Sequence, residues 1–278
     1  NSLAFYNDEA VGFMPVNLSN IEVYETQADW GGALLVHSKG SITINGLNLD
    51  SNNSMGAALA NAMAGKGNIS VSNANIGNSN YGDGLQAFSN GSIIFNNVWI
   101  WQSHNGSGAY LTNSGAPILA PISLTNCGFD WNGSGGLYAE SRGAITLKQV
   151  NAYGNNDFGI ALHNDAAGST AGVSLTDVSA DNNNGIGLDV YSHGAISLNN
   201  VYTHDNAKTN GSINPGETMQ DFFNSSHGPD RWWFNAEYDQ TYSFTLTADT
   251  LDALNRTSFD HWIELIDPDD ENNPIGVS

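Results

Sequence analysis

The sequence predicts an all-β solenoid, a coil of about eight turns with three short parallel strands in each. Three observations predict it. A nine-residue segment recurs eight times and aligns without gaps. Each copy alternates apolar and polar residues with a period of two. The stretches between copies are short and rich in Gly and Asn. The chain has 278 residues, of which 40% are hydrophobic, enough for a sizeable core.

The copies read PVNLSNIEV, SITINGLNL, NISVSNANI, SIIFNNVWI, PISLTNCGF, AITLKQVNA, GVSLTDVSA and AISLNNVYT. Their second residues are Val16, Ile42, Ile69, Ile93, Ile122, Ile145, Val173 and Ile196, at spacings of 26, 27, 24, 29, 23, 28 and 23. This residue and the one two places later are apolar, as in Ile122/Leu124 and Ile145/Leu147. The residue between them is usually Ser or Thr, which suits a solvent-facing strand position.

Four residues after the anchor come Asn20, Gly46, Asn73, Asn97, Asn126, Gln149, Asp177 and Asn200. Asn, Asp and Gly tolerate the left-handed backbone of a sharp corner. An apolar residue follows each, so the corner divides two strands that feed one core. Asn20, Asn73, Asn97, Asn126 and Asn200 are therefore expected to stack as a structural ladder.

A third strand of pattern Gly-Φ-x-Φ (Φ apolar) precedes each pair, as in GLQAFSNG (84–91), GAYLTNSG (108–115) and GLYAESRG (136–143). Three strands per turn and about 26 residues per turn give coils stacked at about 4.8 Å, and a column roughly 40 Å long.

The stacked corner asparagines and the three-strand turn resemble the right-handed parallel β-helix of the pectin-lyase-like superfamily, over about residues 2–206. A leucine-rich repeat fits less well, because the strands are β-branched and helical stretches are absent. The resemblance specifies a fold and not a function, since that superfamily includes lyases, hydrolases, adhesins and phage spikes.

Residues 207–229 have no period and read as a linker or closing segment, with Phe222 and Phe223 as candidates to plug the column. From Asp230 the character changes. Asp230-Arg-Trp-Trp-Phe, the alternation Tyr242, Phe244, Leu246 and the strand Ile263-Glu-Leu-Ile-Asp resemble the start of a bacterial pre-peptidase C-terminal domain. The resemblance implies an incomplete β-sandwich over 230–278. Residue 2 already begins a complete turn, so both ends of the chain read as open. The expectation is further turns upstream, or completion by another subunit or strand.

Lys and Arg total 7 against 28 Asp and Glu, a formal net charge of −21. That argues against nucleic acid and against an anionic membrane surface, both of which need clustered cations. No apolar run reaches the 18 residues of a bilayer span, so no membrane insertion is expected. The lone Cys127 falls in an inward slot and reads as a buried hydrophobe.

In the pectin-lyase-like families ligands usually lie along the strand that opens each turn. Two outward stripes are read there: Leu35, Leu59, Gln86, Tyr110, Tyr138, Ala161, Asp189, and His37, Asn61, Phe88, Thr112, Glu140, His163, Tyr191. Tyr138, Glu140, His163, Asp189 and Tyr191 cluster over three turns. Glu140, His163 and Asp189 are the catalytic candidates, because paired carboxylates perform glycoside hydrolysis. Chance clustering on an exposed face is the competing reading. The family's Asn-Thr-Asp, Asp-Asp and Gly-His-Gly hydrolase motifs are absent, and Ser192-His193-Gly194 only echoes one. A second outward stripe holds Asp50, Gly77, Trp101, Asp130, Tyr153, Asp181 and His204, flanked by Trp99, Tyr202 and Trp131. Tyr110, Tyr138, Tyr191, Trp99, Trp101 and Trp131 are the candidate ligand-binding residues, since aromatics among acids suit a neutral glycan or a neighbouring protein.

Asp181-Asn-Asn-Asn184 and Asp267-Pro-Asp-Asp270 offer hard oxygen donors. No EF-hand loop or repeated Ca²⁺ nonapeptide occurs, so no cofactor is expected and Ca²⁺ is the one candidate. The function expected from the sequence is a non-enzymatic structural or adhesive module of an extracellular or cell-surface protein, sheath or fibre. Its partners would be other copies or neighbouring modules. The alternatives are a polysaccharide lyase or glycoside hydrolase, and a passive carbohydrate-binding module.

Overall fold

The computed structural model describes residues 2–9, 12–26, 32–61, 67–79, 81–166 and 168–206, together with strands at 210–212, 220–222, 231–233, 264–267 and 270–277. The chain divides into two units, Asn1–Asn235 and Ala236–Ser278. The described residues are all β, and no helix among them is long and apolar enough to cross a membrane.

The first unit is a parallel β-solenoid of about seven turns. One eight-stranded sheet stacks Leu3–Asn7, Gly32–Ser38, Met55–Ala60, Leu85–Phe88, Ala109–Thr112, Leu137–Glu140, Ile160–Asn164 and Leu188–Ser192. These are the Gly-Φ-x-Φ strands. A second sheet stacks the eight nine-residue repeats, from Val16–Tyr24 to Ile196–His204, and takes Gln220–Phe222 as a ninth strand. Every pairing in both sheets is parallel, with anchor on anchor, as in Ile93, Ile122 and Ile145. Strands of successive coils supply alternate apolar residues to one continuous core, including Leu34, Ile44, Phe95, Phe129, Leu147 and Leu175.

The expected corner is present. Asn20, Asn73, Asn97, Asn126, Gln149, Asp177 and Asn200 have φ between 52° and 57°, and Gly46 has φ 81°. The ladder skips these residues: Thr125 pairs with Lys148 and Cys127 with Val150, leaving Asn126 and Gln149 out. One continuous element thus carries two strand halves, which accounts for three strands per turn.

A second left-handed position, not anticipated from the sequence, ends each nine-residue strand. It is occupied by Glu25, Ser51, Asn78, Gln102, Trp131, Gly154, Asn182 and Asp205, with φ between 50° and 67°. The residue after it turns inward and is buried: Thr26, Asn52, Ser79, Ser103, Asn132, Asn155, Asn183 and Asn206.

The irregular spacing also has an order. Connectors after the first-sheet strands alternate between short ones beginning at Ser38, Ser89, Ser141 and Ser192 and long ones beginning at Asn61, Asn113 and Asn164. Each serine hydroxyl accepts the N–H of the glycine two residues on, as Ser141 does from Gly143 at 3.0 Å. Each asparagine amide closes its longer loop, Asn113 Nδ2 donating to Ala120 O at 2.8 Å and to Gly91 O of the neighbouring short connector at 3.1 Å.

Beyond residue 206, where the sequence reads as aperiodic, Gln220–Phe222 pairs in parallel with Tyr202–His204, and Asn210–Ser212 with Arg231–Trp233. Arg231–Trp233, part of the Asp230-Arg-Trp-Trp-Phe motif, therefore lies within the first unit. The side chains of Phe222 and Phe223 lie outside the described residues. Within the second unit, Glu264–Asp267 pairs antiparallel with Asp270–Val277, with Asp267 opposite Asp270 and a register irregularity beside Ile266.

Candidate functional site

The first sheet's outward face follows the strand register. One stripe is Leu35, Ala58, Gln86, Tyr110, Tyr138, Ala161, Asp189; the other is Tyr6, His37, Ala60, Phe88, Thr112, Glu140, His163, Tyr191. This corrects the sequence reading at one coil. Leu59 and Asn61, expected outward, are buried, and Ala58 and Ala60 take their places. In Gly56-Ala57-Ala58-Leu59-Ala60 the alanines give no alternation from which to read the phase. Core packing of Leu59 sets it instead.

Rings from both stripes form one stack. Tyr110 and Tyr138 lie 4.9 Å apart and nearly parallel, at 6°. His163 follows at 5.2 Å from Tyr138, and Tyr191 at 4.9 Å from His163. Phe88 joins the other end at 5.9 Å from Tyr110, tilted by 39°. Stacked rings cover each other's faces and present their edges outward.

Carboxylates border the stack. Glu140 accepts a hydrogen bond from Thr112 Oγ1 at 3.3 Å, and Asp165 lies 3.7 Å from His163 Nδ1. Asp83 accepts Gln86 Nε2 at 2.8 Å and the Ser107 N–H at 2.8 Å. The tyrosines report this field. Burial, then Glu140 and Asp83, pushes the Tyr110 phenol above its ordinary pKa; burial, then Glu140, does the same at Tyr138. At Tyr191 the Asp189 carboxylate is the main cause, ahead of burial. Asp189 is itself raised by burial, with His163 opposing.

The structure therefore brings Glu140, His163, Asp189, Tyr110, Tyr138 and Tyr191 onto one ribbon. Glu140 and Asp189 are two coils and two residues apart, so their backbones stand about 12 Å from each other, with the His163 ring in the stack between them. Glycoside hydrolysis by paired carboxyl groups uses separations of about 5–5.5 Å or 6.5–9.5 Å. This pair would have to lean together past the imidazole to reach them.

The tryptophans lie elsewhere, on or just past the second sheet. Trp99 covers Gly128 of the next coil, where a Cβ would stand 2.3 Å from its ring, and its Nε1 donates to Asn97 Oδ1 at 3.3 Å. Trp101 lies over Gly77 of the preceding coil in the same way. Trp131 occupies the second left-handed position at φ 58° and packs edge-on against Tyr153 at 5.1 Å. Each fills space left by a residue of the neighbouring coil, a relation invisible within a single repeat.

The expected corner ladder forms in part. Asn73 Nδ2 donates to Asn45 Oδ1, Asn97 to Asn73, Asn126 to Asn97 and Asn200 to Asp177, at 2.6–3.2 Å, all at exposed positions. The buried ladder is more fully bonded. The Oδ1 atoms of Asn155, Asn183 and Asn206 each accept both the backbone N–H and the side-chain Nδ2 of the ladder residue one coil before, at 2.9–3.0 Å. Their own Nδ2 groups also donate to the carbonyls of Phe129, Ala152 and Ala180. The signal in the sequence is an Asn, Ser or Thr two residues past each nine-residue strand.

Asp181 accepts from Ser179 Oγ and from the His204 backbone N–H, while His204 Nε2 stands 3.5 Å from its Oδ2. Asn183 is committed to the buried ladder. Among the described residues no group of three His, Cys, Asp or Glu side chains is placed to hold a metal ion. No family model, curated protein or solved structure matches this chain. The fold defines a class, the parallel β-solenoid.

Proposed function

We propose that this chain is a rigid, non-catalytic module of an extracellular structural or adhesive protein, built as a right-handed pectin-lyase-like β-helix. On this reading it is followed by a segment related to pre-peptidase C-terminal domains, and its partners are other copies or neighbouring modules. One observation carries the proposal: polar and aromatic side chains are spent on bonding coil to coil. A buried amide ladder, an exposed amide ladder, a connector ladder of Ser and Asn, and a ring stack all run along the coil axis. Repetition of this kind makes stability a sum over coil interfaces and suits a rod. The net charge of −21 keeps such a surface soluble.

The test is mechanical and chemical. Single-molecule stretching of the chain is expected to give a high unfolding force. Electron microscopy of the native material is expected to show an elongated particle, and a compact globule would overturn the reading. A glycan-active enzyme is the second reading, favoured by the raised Asp189 beside His163. Turnover of a neutral or acidic polysaccharide that is lost in Glu140→Gln or Asp189→Asn would establish it instead.

A further inference from the structure

The row of rings on the first sheet's outward face has one gap. Seven of the eight strands of the first sheet place a ring on its outward face: Tyr6, His37, Phe88, Tyr110, Tyr138, His163 and Tyr191. The coil of Met55–Ala60 does not. Both of its outward residues, Ala58 and Ala60, end at a methyl group. His37 and Phe88 flank Ala60 in register, one coil to either side. Two coil steps separate those two residues by about 9.6 Å. The stack elsewhere places successive ring centroids 4.9 Å and 5.2 Å apart. Among the described residues the interval from His37 to Phe88 thus has the width of two ring spacings and no ring between them.

We infer that this interval is a binding site for one planar aromatic group, up to the size of an indole, carried by a small molecule. The floor is the two alanine methyls, the walls are His37 and Phe88, and Leu35 and Gln86 flank them in the other stripe. A planar ring entering here meets Phe88 on one side and His37 on the other; His37 stands edge-on to Tyr6 at 5.3 Å and 71°, and Phe88 is tilted by 39° to Tyr110, so the guest ring stacks on one wall or meets it edge to face. A saturated ring of similar size gains no ring–ring attraction. The inference goes beyond the architectural reading and stands or falls without it, because a rod and an enzyme would hold the same gap.

The alanine methyls are built-in reporters. Indole titrated into the full chain labelled at alanine methyls is expected to move Ala58 and Ala60 upfield and saturably, through the ring current, while Ala161 stays in place. Ala60→Leu fills the interval and is expected to weaken indole by at least about tenfold. Ala60→Tyr supplies the ring from the chain itself and is expected to abolish binding while raising the midpoint of cooperative unfolding. Cyclohexanol is expected not to compete. Shifts that do not saturate, shifts shared equally with Ala161, or an unaltered indole affinity in a cooperatively unfolding Ala60→Tyr variant would each overturn the assignment.

Discussion

Two files of asparagine run along the same coil and have different physical roles. The corner file, Asn73, Asn97 and Asn126, faces solvent and joins neighbours through one amide bond per coil. The turn file, Asn132, Asn155, Asn183 and Asn206, is buried, and each step satisfies a backbone N–H as well as a side-chain amide. The corner residues are selected by their backbone, since a left-handed φ is what Asn and Gly tolerate. The turn residues are selected by their hydrogen bonds, since a buried N–H without a partner is costly. One residue type therefore meets two requirements, and water decides which matters.

That difference can be broken at its strongest point first. Asn155→Ala leaves the Asn132 N–H and the Phe129 carbonyl without their partner inside the coil. Equilibrium urea unfolding is expected to show a loss of about 3 kcal/mol. Gly136→Ala attacks the same file from the other side, because its Cβ would stand 2.5 Å from Gly159 O and 2.8 Å from Asn155 Nδ2. The expected loss is about 2 kcal/mol, with a lower thermal midpoint. At the corner, Asn126→Ala keeps every buried group satisfied, strains the backbone and removes one exposed amide bond, for a loss of about 1 kcal/mol, and Asn126→Gly is expected to cost less than Asn126→Ala. A larger loss at the corner than at Asn155 would reverse the ranking of the two files.

Two smaller effects sharpen it. Burial pushes the Cys127 thiol up to about 11, so the native chain at pH 8 is expected to resist iodoacetamide and the urea-unfolded chain to react. Asp189 is the smallest. Its carboxyl is raised in the folded chain by burial, so between the ordinary carboxylate value and the raised one the folded state binds more protons than the unfolded. Stability from this group falls as the pH rises through that window, and the penalty is complete above it. Asp189→Asn is expected to raise the urea midpoint at pH 7 and to leave it unchanged well below the carboxylate range.

Much of the fold is legible in the sequence, and less of the candidate site. The period-two alternation fixes which residues of Ile122–Asp130 face inward, because a strand has only two faces. It fails at Met55–Ala60, where alanine on both faces leaves the phase undefined, and that coil carries the gap in the row of rings. The clustering of Tyr138, Glu140, His163, Asp189 and Tyr191 follows from counting coils. That their rings lie face against face does not, since Tyr138 and His163 belong to different stripes and meet only through side-chain rotation between coils.

The sequence by itself determined the repeat, the all-β character, the left-handed corner and the single core, all of which arise within about 26 residues of chain. Only the tertiary structure decided which asparagines are buried, that the tryptophans cover glycines of adjoining coils, and that Gln220–Phe222 adds a further strand to the second sheet. These are relations between residues one coil apart, brought within bonding distance by stacking at about 4.8 Å. A pattern read along the chain carries the direction of each side chain, and contact across coils depends on what the neighbouring coil places opposite it.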